Sequence, residues 1–221
     1  STHCIDSGAS ETEALRALTN PLGEGAWSGL IVPRVGSRHT AEELRLLEAL
    51  ITRGLTSASA PEALALAMDK AATHQCLQRS GLPTVPSRVT RDHAAAATIA
   101  HELGSGPWVI KPCRGSQGRD VLRADTVSEL QARCHDVLER NDGALIQPFI
   151  PMRQPRDLRV LVTHGVARVG CWRIAAPGEF RSNVHLGATT QRASLNLEMK
   201  RLAEAAAAAT ADAVTKEEKA E

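Results

Sequence analysis

Aromatic side chains are nearly missing from this chain: its 221 residues hold two Phe, three Trp and no Tyr. Proteins that grip single-stranded nucleic acid stack its bases on aromatic rings, so a chain this poor in them is not built as such a platform. Charge of one sign is missing too, with 26 Lys and Arg against 25 Asp and Glu. Without a basic field, neither nucleic acid nor an anionic membrane surface is an expected partner. Five cysteines (Cys4, Cys76, Cys113, Cys134, Cys171) stand alone, never as Cys-x-x-Cys, and an odd number closes no disulfide framework. A reducing cytoplasm is the expected setting. No apolar run approaches a membrane span, and the first residues lack the basic-then-apolar order of a signal peptide. The chain opens on Ser1 rather than Met, which leaves room for an upstream portion missing or processed.

What is present is ample apolar content, 43% with much of it alanine, enough to pack one large domain or two small ones. The stretch that organises the rest is Trp108-Val109-Ile110-Lys111-Pro112-Cys113-Arg114-Gly115-Ser116-Gln117-Gly118-Arg119-Asp120-Val121-Leu122. A short apolar run delivers a lysine, a loop with two glycines follows, and a second extended run begins at Val121. Glycines let backbone N–H groups converge on an anion, because a residue without a β-carbon tolerates positive φ and close approach. A strand rather than a helix follows the loop, so it is neither the turn of a dinucleotide-binding βαβ unit nor a Gly-Lys-Ser/Thr phosphate loop. Alone, Gly-x-x-Gly is a turn; Lys111 at the end of the preceding strand is what suggests phosphate.

Taken in order, Glu11 to Leu18 allows a short helix and Asn20-Pro21-Leu22-Gly23 a turn. Leu30-Ile31-Val32 reads as a buried strand, and Thr40 caps a helix with Leu44, Leu47, Leu50 and Ile51 on one face, closed by Gly54. Leu55-Thr56 starts another strand. Strand, helix, strand at this spacing describes part of an open α/β sheet. Ser59-Ala60-Pro61-Glu62 is a capping box opening a helix to about Leu66, and a second helical pattern through Cys76 and Leu77 stops at Gly81 with Lys70 at the junction. Leu82-Pro83-Thr84-Val85-Pro86 is an extended connector with two prolines and the expected boundary in the chain.

Beyond it the spacing predicts helices over 94–103 and 126–138, and a strand over 144–150, where Pro148 is tolerable only if its missing N–H is not needed in the ladder. Leu158 to Val162 and Ala167 to Ile174 flank a hairpin turn at Thr163-His164-Gly165-Val166. This half is expected to be α+β, antiparallel strands with helices to one side. A polar loop is expected over 177–190, holding Arg181, Asn183 and His185, then a long Ala-rich helix from Leu195 to about Val214 and a charged, frayed tail. His185 has no need of a ligand. Cys113 and Cys171 lie near these motifs, and without a His and an acid in a triad-like pattern they read as small apolar fillers rather than nucleophiles.

Lys70 before the proline connector, Val109-Ile110-Lys111 with Gly115-Ser116-Gln117-Gly118, Ile146-Gln147, Asp157-Leu158-Arg159 and Phe180-Arg181-Ser182-Asn183 together resemble an ATP-grasp ligase, and within that superfamily the RimK-type glutamate ligases. The similarity runs from about Leu30 to Thr210 and includes Ile31-Val32-Pro33-Arg34-Val35-Gly36. The resemblance implies an ATP-grasp fold, with a partial α/β domain over 1–60, an ATP-grasp domain over 61–215 and a charged tail over 216–221. It also implies an enzyme that phosphorylates a carboxylate with ATP and lets an amine attack the acylphosphate, the expected reaction being glutamate addition to a peptide or protein carboxyl terminus.

On the matching positions, Lys70 and Lys111 are expected to contact the phosphates, with Gly115, Ser116, Gln117 and Gly118 closing over them. Gln147 and the backbone at Pro148 are expected to border the adenine. Asp157 would hold the nucleotide. Arg159, Arg173, Arg181, Ser182 and Asn183 would face the triphosphate or acylphosphate, where an arginine fork matches an anionic edge.

Two departures stand out. The family has an acidic residue where this chain has Pro148. Its magnesium-binding acidic strands, ending in Glu-x-Asn-x-x-Pro-Gly, have no counterpart before Glu221, and Asp212, Glu217 and Glu218 lack the flanking apolar pattern, so no metal residue is assigned. The front end is short as well. The chain is therefore expected to be a ligase trimmed at both ends, with weakened chemistry by itself or its magnesium ligands supplied elsewhere. A nucleotide-binding remnant and a ligase for a small amino acid are the alternatives, and homo-oligomerisation is left open.

Overall fold

In this computed structural model, residues 28–34 and 40–217 are described. The helix expected over 11–18, the turn at 20–23, Val35-Gly36 and the last four residues of the tail lie outside them. The chain divides into two compact units, Ser1–Met68 and Asp69–Glu221.

In the first unit, strand β1 (Leu30–Ile31) pairs in parallel with β2 (Thr56–Ser57), and helix α1 (Thr40–Thr52) connects them. Leu50 of α1 is 5% exposed and packs with Ile31, Leu46 and Leu55. A parallel pair needs such a crossover, so the strand–helix–strand pattern is realised as expected. Helix α2 (Pro61–Met68) completes the unit.

The second unit opens with helix α3 (Lys70–Arg79). Asp69 caps it, its carboxylate accepting hydrogen bonds from the Ala71 and Ala72 amides at 2.9 and 3.1 Å. Strands β3 (Arg88–Thr90), β4 (Trp108–Pro112), β5 (Leu122–Ala124) and β6 (Ala144–Pro148) form an antiparallel sheet in the order β3-β6-β4-β5. The connector containing Pro83 and Pro86 lies inside this unit. Side chains alternate across a sheet, so Trp108, Ile110, Ala124, Ala144 and Ile146 point to one face. There helices α4 (Ala96–Leu103) and α5 (Val127–Leu138) cover them with Ile99, Ala100, Leu130, Cys134 and Val137. That alternation sends Lys111 and Gln147 to the other face. The capping box of α5 is present: Thr126 Oγ1 accepts from the Glu129 amide at 3.2 Å, and Glu129 reaches back to the Asp125 amide at 2.8 Å.

A second antiparallel sheet follows, β7 (Arg156–Thr163), β8 (Val166–Ile174) and β9 (Thr189–Ala193), in that order. Helix α6 (Leu197–Glu217) covers one of its faces, where a β-carbon at Gly170 would stand 2.5 Å from Leu195 Cδ2 and the Ala167 amide donates to Glu204 at 2.9 Å. Asp157, Arg159, Cys171, Arg173, Thr190 and Arg192 share the opposite face. Among the described residues, no helix is long and apolar enough to cross a membrane.

Several boundaries differ from the pattern-based reading. The 177–190 segment is not all loop: it contains a 3-10 turn at Val184–Leu186, and β9 begins at Thr189. Residues 189–192 are polar and exposed, so no apolar alternation marks them, and pairing with β8 alone makes them a strand. β6 stops at Pro148 rather than continuing to Ile150. Helix α6 starts at Leu197, not Leu195, because Asn196 Oδ1 accepts from the Met199 amide at 2.8 Å and caps it there; its helical turns continue through Glu217. The helix expected from Ala94 begins as a 3-10 turn at His93–Ala95, capped by Asp92.

Ile110 has no solvent exposure and sits at the centre of the larger core. Ile110→Ala is expected to cost about 2–5 kcal/mol through lost transfer energy and the cavity left behind. Urea unfolding would read this as a lower midpoint at unchanged slope, and a midpoint equal to wild type would contradict the packing described.

Candidate functional site

The glycine loop between β4 and β5 is held by cations from both sides. Lys70, the first residue of α3, donates from its amide to Cys113 O at 2.8 Å and from Nζ to Gly115 O at 2.8 Å. Arg114 reaches back to the capping carboxylate of Asp69 at 3.3 Å. At the other end of the loop, Arg181 Nη1 donates to Gly118 O at 3.1 Å. Gly118 has φ +74°, and a β-carbon there would stand 2.6 Å from Asn183 Oδ1. Both the backbone conformation and the approach of Asn183 therefore require glycine at this position. Gln117 also has positive φ, at 62°.

Lys111 projects from β4 on the face away from the core. Its Nζ donates to Gln147 Oε1 at 2.6 Å, Gln147 Nε2 donates to Ser87 Oγ at 2.6 Å, and Ser87 Oγ donates to Val85 O at 2.8 Å. This relay fixes the amide with its oxygen toward the lysine. Burial pulls both Lys70 and Lys111 below the ordinary lysine range, and for Lys111 the positive charge of Lys70 pulls further. Two half-buried ammonium groups thus lie within Coulombic reach of each other, an arrangement that an anion relieves. The Cys113 thiol is pushed up by burial and by Asp69, with the nearby cations opposing, so it is held as the protonated, unreactive form.

On the second sheet, Arg173 forms a two-pronged ion pair with Asp157 directly opposite, Nε to Oδ1 at 2.7 Å and Nη2 to Oδ2. Arg181 is likewise gripped by Glu179, Nε to Oε1 at 3.0 Å and Nη2 to Oε2 at 2.7 Å. That hydrogen-bonded fork holds the Glu179 carboxyl down at about 2. Ser182 is buried beside it.

A cavity of about 590 Å3 adjoins these groups. It is lined by Pro107, Arg123, Phe149, residues 151–155 and residues 175–180. Both phenylalanines of the chain lie in its wall, Phe149 edge-on to Phe180 at 6.0 Å between centroids, with the Arg123 guanidinium 4.4 Å above Phe149.

Of the residues singled out from sequence, contacts join Lys70, Gly115, Gly118, Arg181 and Asn183 around one loop, with Ser116 and Gln117 between them. Lys111 and Gln147 form a second pair, linked to the first through the charge of Lys70. Pro148 ends β6 next to the cavity-lining Phe149. Asp157 and Arg173 pair with each other, whereas Arg159 lies exposed one row along the sheet and no contact ties it to the loop. Sequence reasoning missed Asp69, Ser87 and Glu179. Asp69 carried a signal, an acidic residue just ahead of a helical pattern; Ser87 and Glu179 carried none, since each acts through a partner that only the fold or the loop conformation supplies.

The RimK-like ATP-grasp domain matches residues 67–215. The chain is 27% identical over 173 residues to a probable alpha-L-glutamate ligase of Shewanella pealeana (78% of this chain, 38% of that protein). It is 28% identical over 177 residues to one of Legionella pneumophila strain Corby (80% of this chain, 59% of that protein). It thus spans well under two thirds of these relatives. Among solved structures, D-cycloserine synthetase DcsG superposes with a TM-score of 0.63 at 17% identity, over 81% of this chain and 63% of that one. At that identity the likeness concerns the fold, which is that of ATP-grasp ligases. The domain match covers more than half of the 221 residues, and the chain belongs to the RimK-like ATP-grasp family.

Proposed function

We propose that this chain carries the nucleotide site of an ATP-dependent carboxylate–amine ligase that adds glutamate to a peptide or protein carboxyl terminus. The observation that carries the reading is the pair Lys70 and Lys111, two half-buried cations beside a glycine loop, both held below the ordinary lysine range by burial, with the charge of Lys70 lowering Lys111 further. Phosphates need positive charge and N–H donors around them, and little covalent work from the protein. Lys70, Lys111 and the amides of residues 115–118 hold the phosphates. Gln147 and the backbone at Pro148 border the adenine, and the cavity walled by Phe149 and Phe180 receives the base. Asp157 keeps its role toward the nucleotide through Arg173.

In the reaction, a substrate carboxylate oxygen attacks the γ-phosphorus and ADP leaves. The α-amine of glutamate then attacks the acyl carbon, phosphate departs with the bonding pair, and the amine loses its proton. Arg173, Arg181 and Asn183 face the phosphoryl group as charge shifts across it, Arg181 being oriented by Glu179. The donor set fits a nucleotide triphosphate. Among the described residues no group of three or more His, Cys, Asp or Glu is placed to hold a metal ion, so no step is assigned to one.

Removing a lysine that pairs with phosphate costs about 1.5–3 kcal/mol, so Lys111→Ala is expected to weaken ATP binding ten- to a hundredfold. With Mg2+ and glutamate present, it should also abolish ADP release. ATP binding without any turnover in the unaltered chain would favour a nucleotide-binding remnant, and absence of binding would refute the site.

Bound phosphate favours the charged forms of Lys70 and Lys111, so their pKa values are higher in the complex than in the free protein. Between the two values binding takes up protons. ATP affinity is therefore expected to fall as pH rises from neutral toward 10.5, the ordinary lysine value. Affinity that held steady or rose over that interval would separate these lysines from the nucleotide.

A further inference from the structure

Arg159 and Arg192 occupy one row of the second sheet. Arg159 on β7 is the register partner of Cys171 on β8, and Cys171 is the partner of Arg192 on β9. Directly opposed residues of antiparallel strands send their side chains to the same face. The row Arg159–Cys171–Arg192 therefore lies on the face opposite α6, and both arginines are exposed. With neighbouring Cα atoms about 5 Å apart, the two arginines flank the small thiol at roughly 10 Å.

The adjacent row is Asp157–Arg173–Thr190, and its one carboxylate is committed to Arg173 through both oxygens. No described acid pairs with either Arg159 or Arg192. Charge on the outer strands of a sheet discourages strand addition, but that purpose does not require two arginines in one row on one face.

We propose that this row binds the two carboxylates of the donor amino acid, one on each guanidinium. This rests on the ligase reading above and names the subsite for its glutamate. Two forks separated by a small residue suit a ligand with two anionic ends, whereas the lysine pair and glycine loop already suit phosphate. Holding both carboxylates leaves the α-amine free, and one row along, about 7 Å away, stands Arg173, which faces the phosphoryl group in that reading. Selection for a dicarboxylate follows directly: glutamine or alanine leaves one arginine unpaired.

Isothermal titration of the full chain with L-glutamate, in the absence of nucleotide, tests the row. Wild type is expected to bind glutamate at least tenfold more tightly than L-glutamine. Arg192→Met is expected to lose at least tenfold in glutamate affinity, Arg192→Lys to recover part of it, and Arg168→Met, which removes an equal charge from β8 outside the row, to leave it unchanged. Equal glutamate binding by wild type and Arg192→Met would overturn the proposal, as would equal affinity for glutamine or an equal loss in Arg168→Met. A parallel titration with ATP keeps the two readings apart. Failure of ATP to bind sinks the ligase site, while the glutamate titration still decides the row.

Discussion

Two positive side chains grip the carbonyls of one glycine loop, and the arrangement of the second unit depends on that grip. Lys70 lies 45 residues before the oxygen it reaches, and Arg181 lies 63 residues after its own. Hydrogen bonds from charged donors contribute about 1.5–3 kcal/mol each, enough to tie helix α3, the β4–β5 connection and residues 179–183 to one point. The loop accepts these bonds through carbonyl oxygens at Gly115 and Gly118. An anion arriving at this loop would compete with those carbonyls for the same cations, so under the proposed reading nucleotide binding and loop position would be coupled through shared donors.

Much of this was legible because it is local. Side chains alternate along the Trp108-Val109-Ile110-Lys111 strand, so burying Trp108 and Ile110 on one face sends Val109 and Lys111 to the other; Trp108 and Ile110 sink into the core as that pattern demands. The helix that begins at the Thr126 cap and the turn at His164-Gly165 were readable for the same reason. What composition hides depends on partners distant in sequence or on the conformation of a loop. Ser87 orients Gln147 across 60 residues, and nothing around Ser87 announces it. β9 is polar throughout its exposed residues, so only β8 makes it a strand. Glu179 and Arg181 are two residues apart, yet their pairing depends on a loop conformation that composition does not specify.

Pro148 shows how a departure from the family pattern is absorbed. It ends β6 opposite Trp108, and the next residue, Phe149, resumes the ladder by donating to Pro107 O at 2.8 Å. Its missing N–H points to the other neighbour, β3, whose pairing stops at Arg88 opposite Ile146. No ladder bond is lost, so the substitution costs the sheet little. Its effect is chemical instead: an acidic side chain is replaced by a ring beside the residues that border the cavity.

The cations fall into three groups by how their charge is answered. Arg173 and Arg181 are each held by a carboxylate through two prongs, which sets their geometry and removes most of their pull on a distant anion. Lys70 and Lys111 donate to neutral oxygens of Gly115 and Gln147 while burial works against their charge, with Lys70 lowering Lys111 further and Asp69 partly supporting Lys70, so an arriving anion would relieve both. Among the described residues no acid pairs with Arg159 or Arg192, and both are exposed, so water screens their charge. Under the proposed reading the fixed arginines would serve orientation, the half-buried lysines affinity and the solvated arginines selection. That reading needs the three kept apart, since a single cluster of cations could not tell a triphosphate from an anionic amino acid.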